Sequence, residues 1–166
     1  MGSEDIARLY AERYHAGQFR KKDGSPYVTH PAAVAELLRR YGVQEETALA
    51  TAWLHDTVED TALTLDQIKS VFGESVAQGV YLLTRNVDRE QYKNRLLEAP
   101  IWVQRVKLAD RLHNMTSLEA LSLQGAKRYL EECEQFYLPL AEKVCPAMAF
   151  ELGQYYEHYK NMFGGN

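Results

Sequence analysis

The sequence predicts an all-α domain. Apolar residues recur at spacings of three and four along most of the chain, with short polar breaks between the periodic segments. No run of strict alternation is long enough to predict a strand. A chain of 166 residues suits a single domain with one core, so we expect one helical domain over residues 1–166.

The first two helices are predicted on either side of a polar loop. The first covers residues 3–16, with Ser3 as its cap. The second covers 31–41, because Pro31 has no N–H to leave unpaired in a first helical turn. His30 is thereby predicted to lie at the entrance of the second helix.

Further helices follow at short intervals. A third is predicted over about 44–56, and Thr64 with Gln67 forms a capping box for a fourth that ends at Gly73. Then come helices over 74–84, 88–98 and 100–117, and a long helical pattern over about 125–162. Pro139 and Pro146 are predicted to bend or break this last pattern.

Composition excludes several classes of protein. The net charge of −4 and a pI near 5.7 argue against nucleic acid or an anionic membrane as a partner. No apolar stretch is long enough to span a bilayer, and the N-terminus lacks a signal-peptide core, which predicts a cytoplasmic protein. The two cysteines form neither a disulfide framework nor a zinc-finger pattern. The oligomeric state is left open.

Four residues far apart in the sequence are candidates for one metal site. Each is an imidazole or a carboxylate within an otherwise apolar, helical segment, and the four are His30, His55, Asp56 and Asp110. Two nitrogen and two oxygen ligands suit manganese, iron or zinc better than calcium. Because neighbours on a helix point about 100° apart, His55 and Asp56 reach one ion only if it lies between their two directions.

Two acidic residues are candidates for catalysis beside that site. Glu59 and Asp60 lie one turn after His55 and Asp56, so they return to the same side of the helix. A carboxylate there can orient a water molecule and take its proton, which indicates a hydrolase. The alternative interpretation is that both residues simply solvate the loop before residue 64.

Cationic residues are candidates for binding an anionic substrate. Arg20, Lys21 and Lys22 stand together shortly before His30 and can grip phosphates next to a metal. Lys107 shares a helix sector with Asp110 and is a further candidate. A second basic run, Arg85, Arg89, Lys93 and Arg95, is interpreted as a solvated helix face.

The motifs together resemble the hydrolase domain of the Rel/SpoT homologues, enzymes of the HD superfamily that remove the 3′ pyrophosphate from (p)ppGpp. GQFRKKDGSPYVTHP, LHDTVEDT, FG and KLADRLHNM occur in the family's order. The resemblance spans about residues 5–125, and the C-terminal helices over about 125–162 match only in kind. It implies an HD-domain helical bundle in a small, stand-alone alarmone hydrolase.

The resemblance also implies roles for individual residues. One Mn²⁺ would be held by the four candidate ligands, with Glu59 and Asp60 as the catalytic pair. Lys21 and Lys22 correspond to the family's Arg-Lys pair over the base and phosphates, and Asn114 to its Asn near the ribose and base. Ser117 stands at the rim of the base pocket.

Two departures from the family concern the purine base. Lys21 occupies the position usually held by Arg, and the family's NMRTL reads NMTSL here, with Thr116 in place of Arg. A Lys cannot stack a planar guanidinium on a purine, so guanine and adenine alarmones are both predicted substrates. Two alternatives stay open: removal of the 2′ phosphate from NADPH at the same metal site, and a catalytically silent metal-binding scaffold.

Overall fold

A computed structural model of the protein describes residues 1–164 and confirms the all-α prediction. Over these residues the chain forms no strand, and its one β-bridge joins Phe19 to Pro26. The helices are α1 (Ser3–Tyr14), α2 (Thr29–Arg40), α3 (Glu46–Leu54), α4 (Thr57–Asp60), α5 (Leu65–Phe72), α6 (Glu74–Leu83), α7 (Arg89–Glu98), α8 (Ile101–Met115), α9 (Leu123–Glu132), α10 (Leu138–Val144) and α11 (Pro146–Phe163). A 3₁₀ turn covers Leu118–Ala120, and a π-helical turn covers Cys133–Tyr137.

Helix α3 lies at the centre of the fold. Every residue from Ala48 to Leu54 is buried, and the helix packs against α1, α2, α6 and α8. A helix that is apolar on all sides is typical of a fully enclosed element. Its alanines, Ala48, Ala50 and Ala52, let neighbouring helices approach closely. Because α2 and α8 also pack against each other, the three segments that carry the predicted ligands meet.

Two helix starts differ from the prediction. The cap of α1 is Gly2, whose N–H bonds the Asp5 carboxylate, and Ser3 is already helical. Helix α2 begins at Thr29, two residues before Pro31, because a turn that starts at Pro26 runs directly into it. Pro31 is still in the first turn, where its missing N–H costs nothing.

The predicted capping box is confirmed. The Thr64 hydroxyl accepts the Gln67 N–H, and the Gln67 side chain accepts the Thr64 N–H. Gly73 separates α5 from α6 with φ +88° and ψ 176°, a backbone conformation that is essentially restricted to glycine. This backbone conformation explains why the second residue of the FG motif is glycine.

The two prolines of the C-terminal third distort and break the helical pattern, as predicted. The helical run passes through a π-helical turn that ends at Tyr137, two residues before Pro139, and Leu138 stays helical. At Pro146 the pattern breaks, because Cys145 is extended and α11 starts anew at the proline. In the described part of the chain, no helix has both the length and the hydropathy of a membrane span.

Candidate metal centre and active site

The fold brings the four predicted ligands together. His30 lies in the first turn of α2, His55 and Asp56 lie at the junction of α3 and α4, and Asp110 lies in α8. One ligand atom from each lies within 4.8 Å of the corresponding atom of every other. His30, His55 and Asp110 are buried, and Asp56 is partly buried.

A helix break lets two adjacent residues face the same point. Helix α3 ends at Leu54, before the predicted residue 56, and Asp56 has φ −102° and ψ −3° before α4 begins. The Thr57 hydroxyl donates to the Leu54 carbonyl at 2.7 Å, so it satisfies a carbonyl that the broken helix leaves without a partner. The carboxylate of Asp56 thus lies 3.1 Å from Nε2 of His55.

His55 presents an unpaired nitrogen to the centre. Its Nδ1 donates to the carbonyl of Ala52 at 2.6 Å, so in the neutral ring, the form that binds a metal, Nε2 carries the lone pair. That Nε2 is buried and makes no hydrogen bond with any residue of the described chain. A buried acceptor without a partner is costly, and a bound cation would remove this cost. The donor set therefore fits a divalent metal.

His30 is held from both sides of its ring. Its Nε2 lies 2.8 Å from Oδ1 of Asp110, and its Nδ1 lies 2.7 Å from Nδ1 of His113. Burial and then the neighbouring His30 lower the pKa of His113 to about 4, so His113 is neutral near pH 7. The ring of His30 is therefore fixed with Nε2 toward the other ligands.

The two carboxylates of the centre are ionised. Burial alone would raise the pKa of Asp110, but the positive charge of Lys107, with Nζ 3.0 Å from Oδ2, holds it well below its usual range. Burial alone would raise the pKa of Asp56 as well, but its close contact with His55, 3.1 Å from Nε2, lowers it. Tyr27 donates its hydroxyl to Oδ2 of Asp56 at 2.6 Å. Two negative charges beside two imidazoles match the charge of a divalent cation.

The predicted catalytic carboxylates adjoin the centre. Oxygens of Asp56, Glu59 and Asp60 lie within 4.8 Å of one another. Oε1 of Glu59 accepts the backbone N–H of Arg85 at 2.7 Å, which anchors this side chain to the segment after α6. Burial, followed by the charges of Asp56 and Glu59, raises the pKa of Asp60. A raised pKa increases the proton affinity of Asp60, as a general base requires.

Two adjoining cavities open at the site. The metal cleft, of about 460 Å³, is lined by three of the four predicted ligands, His55, Asp56 and Asp110, and by Glu59 and Asp60. The side cavity, of about 350 Å³, is lined partly by apolar residues such as Phe19 and Leu118. The two cavities share the wall residues Tyr27, Asn114, Leu121 and Tyr129.

The predicted substrate-binding residues all line one of these cavities. Those that line the side cavity are Arg20, Lys21, Lys22, Asn114 and Ser117. Lys107 lines the metal cleft, but its ammonium group already bonds Asp110. Lys107 thus orients a ligand, and its contact with substrate stays a prediction.

Several residues at the candidate site were not predicted from the sequence. Arg85 and Arg89 are exposed, as a solvated face requires, but they also line the metal cleft together with Arg128. Arg85 lies in the loop after α6 and Arg89 begins α7, so no helical spacing relates the two in the sequence. Tyr27 and His113 gave no signal of their own, since their contacts join residues far apart in sequence.

Residues 7–99 match the family described as HD domain. The match covers more than half of the 166 residues. The chain belongs to the HD domain family. This membership agrees with the cluster of two histidines and two aspartates between α2, α3 and α8.

Curated relatives of this HD domain confirm the resemblance to Rel/SpoT homologues. A probable guanosine-3′,5′-bis(diphosphate) 3′-pyrophosphohydrolase of Synechocystis is 41% identical over 153 residues, which is 84% of this chain and 20% of the relative. The enzyme named guanosine-3′,5′-bis(diphosphate) 3′-pyrophosphohydrolase in Haemophilus influenzae is 36% identical, and the match covers 82% of this chain and 22% of that enzyme. The chain spans about a fifth of the length of these relatives.

Two solved structures share the fold. One is a metazoan ortholog of SpoT that hydrolyses ppGpp; it superposes with a TM-score of 0.84 at 22% identity and covers 96% of both chains. The other is from Listeria monocytogenes, with a TM-score of 0.64 at 26% identity, and covers 82% of this chain and 99% of that one.

Proposed function

We propose that this protein is a metal-dependent hydrolase that removes the 3′ pyrophosphate from a purine nucleotide alarmone, (p)ppGpp or (p)ppApp. The observation that carries the proposal is the unpaired, buried Nε2 of His55 among three other ligand groups, next to Glu59 and Asp60. The names of the curated relatives and of the metazoan structure give the substrate class. The products are GDP or GTP, or their adenine equivalents, and pyrophosphate.

The ligands proposed for the ion are His30, His55, Asp56 and Asp110, and the ion proposed is one Mn²⁺. Mixed nitrogen and oxygen donors suit this metal. A bound divalent cation supplies Lewis-acid activation of water and neutralises charge on the phosphate. Lys107 and Asn114 hold the Asp110 carboxylate at 3.0 and 3.2 Å, so they fix the direction in which it binds.

The two catalytic carboxylates take different parts in the proposal. Asp60 accepts the proton of the attacking water, because its pKa is raised and its carboxylate is not engaged by the N–H that anchors Glu59. Glu59 is anchored by the N–H of Arg85 and orients the same water through its second oxygen. Both positions adjoin Asp56, so the water is held close to the ligand cluster.

Each of the two cavities binds a different part of the substrate in this proposal. The metal cleft has cationic walls at Arg85 and Arg128, which suit the 3′ diphosphate, while Arg89 is paired with Glu132 at 3.0 Å. The side cavity takes the nucleoside, because it combines apolar walls with the polar groups of Asn114 and Ser117. The guanidinium of Arg20 lies 5.9 Å from the centre of the Tyr27 ring at the boundary between the cavities.

A substrate panel tests the proposal. Purified protein with Mn²⁺ is expected to release pyrophosphate from ppGpp or ppApp, and His55→Ala is expected to abolish release. A Glu59→Ala, Asp60→Ala double variant should lose turnover and keep the metal. The proposal fails if the wild-type protein releases no pyrophosphate from either alarmone, or if His55→Ala remains active.

The same panel distinguishes the two alternatives. Release of orthophosphate from NADPH, without pyrophosphate from an alarmone, would identify a 2′-phosphatase that uses the same centre. Metal binding without turnover of any substrate would identify a silent scaffold. The presence of both Glu59 and Asp60 at the ligand cluster favours catalysis over the scaffold.

A further inference from the structure

A buried histidine outside the ligand cluster has no part in the function proposed above. His15 is 2% exposed and follows the last residue of α1. Its Nδ1 lies 2.8 Å from Oε1 of Gln18, while its Nε2 is buried and makes no hydrogen bond within residues 1–164. Its ring packs against Tyr27, with centroids 4.9 Å apart.

The direction of the hydrogen bonds around Gln18 is determined by its second partner. Nε2 of Gln18 lies 2.9 Å from the backbone carbonyl of Asp60, and a carbonyl oxygen can only accept. The amide nitrogen of Gln18 must therefore face Asp60, and its oxygen must face His15. His15 Nδ1 then carries the hydrogen and donates it, so the chain of bonds runs from His15 to Gln18 to Asp60.

The carbonyl of Asp60 has Gln18 as its donor in place of one from its own helix. Helix α4 is four residues long, and Asp60 is its last residue, where helix carbonyls have no intrahelical donor. Gln18 comes from a distant part of the sequence, and its backbone is bonded to His15 and Tyr27 at 3.0 and 2.8 Å. The short helix with the proposed catalytic carboxylates is thus tied, at Asp60, to a segment whose backbone is hydrogen-bonded on both sides of Gln18.

We infer that Gln18, oriented by His15, is a positioning residue that holds Asp60 in place for proton transfer. The inference rests on the proposed function, in which Asp60 is the base. It places no requirement on the metal ligands, because neither Gln18 nor His15 donates a hydrogen bond to any of them. The expected consequence is a loss of kcat that spares both metal binding and KM.

Matched variants separate the bonds from the packing. Gln18→Met keeps the length of the side chain and removes both hydrogen bonds. His15→Phe keeps a ring against Tyr27 and removes the donor, whereas His15→Asn keeps a donor near the position of Nδ1. Gln135→Met is the control, because Gln135 is exposed and bonds only Glu131, one turn away.

The experiment measures kcat and KM for ppGpp with Mn²⁺, together with Mn²⁺ affinity. A misplaced base costs rate steeply, so we expect Gln18→Met and His15→Phe each to lower kcat by about 10-fold. KM and metal affinity should stay within about twofold, and His15→Asn should recover most of the rate. The double variant Gln18→Met, His15→Phe should be no slower than Gln18→Met alone, because both substitutions break one chain of bonds.

Other outcomes are equally informative. A Gln18→Met enzyme as fast as wild type overturns the inference while the hydrolase stands. A loss of metal affinity in parallel with kcat also overturns it, since Gln18 would then support the fold of the centre. If Gln18→Met fails to fold, the kcat values of His15→Phe and His15→Asn test the inference alone, and equal values would overturn it. An inactive wild-type protein would instead refute the proposed function.

Discussion

Nδ1 of His30 lies 2.7 Å from Nδ1 of His113, so a ligand of the candidate metal centre is bonded to a residue outside it. Nε2 of His30 faces Asp110 at 2.8 Å. Nδ1 must therefore carry the hydrogen if Nε2 is to bind metal, and His113 must accept it. The low pKa of His113, about 4, keeps it neutral and able to accept this bond.

We predict that His113 contributes to metal affinity without touching the ion. His113→Leu is expected to weaken Mn²⁺ binding by about 10- to 100-fold, because His30 loses the partner that fixes its ring. His113→Asn should bind more tightly than His113→Leu, since the amide oxygen can replace the accepting Nδ1. Calorimetric titration with Mn²⁺ measures both, and equal affinity in wild type and His113→Leu would contradict this role.

Metal binding is expected to stabilise the fold. The candidate ligands come from α2, the α3–α4 junction and α8, so an ion that binds only the folded chain favours the folded state. At a free concentration 100 times Kd, the gain in unfolding free energy is about 2.7 kcal/mol. Thermal unfolding of the wild-type protein with Mn²⁺ and with a chelator should show this gain as a higher Tm.

His55→Ala should lose this metal-dependent gain in Tm, because Nε2 of His55 has no other partner in the described residues. His158→Ala is the matched control, since His158 is exposed on α11. Equal Mn²⁺-dependent shifts in His55→Ala and wild type would mean that the ion binds elsewhere.

The cluster of the four candidate ligands was predictable from the sequence, because imidazoles and carboxylates are unusual residues in otherwise apolar helical segments. Imidazoles and carboxylates in buried helical segments need partners, and His30, His55 and Asp110 are all buried. The exact route by which His55 and Asp56 meet was not predictable. It depends on the end of α3 at Leu54, and tertiary packing decides where a helix ends.

The residues that support the candidate metal centre were harder to predict from the sequence. Gln18, Tyr27 and His113 act through single hydrogen bonds to residues 29 to 83 positions away, and no local pattern records such a pair. Arg85 and Arg89 have the composition of a solvated helix face. Only the packing of α6 and α7 near α8 shows that they line a cleft.

The cationic wall of the metal cleft is expected to contribute to substrate affinity. Arg128 is exposed and lines the cleft, so Arg128→Gln should raise KM for ppGpp by about 5-fold, the effect of one exposed charge contact. Because the contact serves binding in ground state and transition state alike, kcat should change little. Steady-state kinetics at low ionic strength measures this change.

Lys127→Gln is the control for that prediction. Lys127 is the neighbour of Arg128, is also exposed, and does not line either cavity of the site. The two variants lose the same charge from the same helix. An equal rise in KM in both would indicate long-range attraction by the whole protein surface, and would refute a specific contact with Arg128.

Gly73 is expected to be required for stability by its backbone alone. With φ +88° and ψ 176°, it occupies a region that an L-residue enters at a cost of about 1 to 3 kcal/mol, although an added Cβ would contact nothing within 4 Å. Gly73→Ala should therefore lower the free energy of unfolding by this amount.

Gly153→Ala is the control with the opposite sign, because Gly153 lies inside α11 and its added Cβ would make an ordinary 3.8 Å contact with Leu138. There alanine gains about 1 kcal/mol of helix propensity. Both substitutions restrict the unfolded chain alike, so a difference in urea midpoints isolates the native backbone, and matching midpoints would contradict the strain at Gly73.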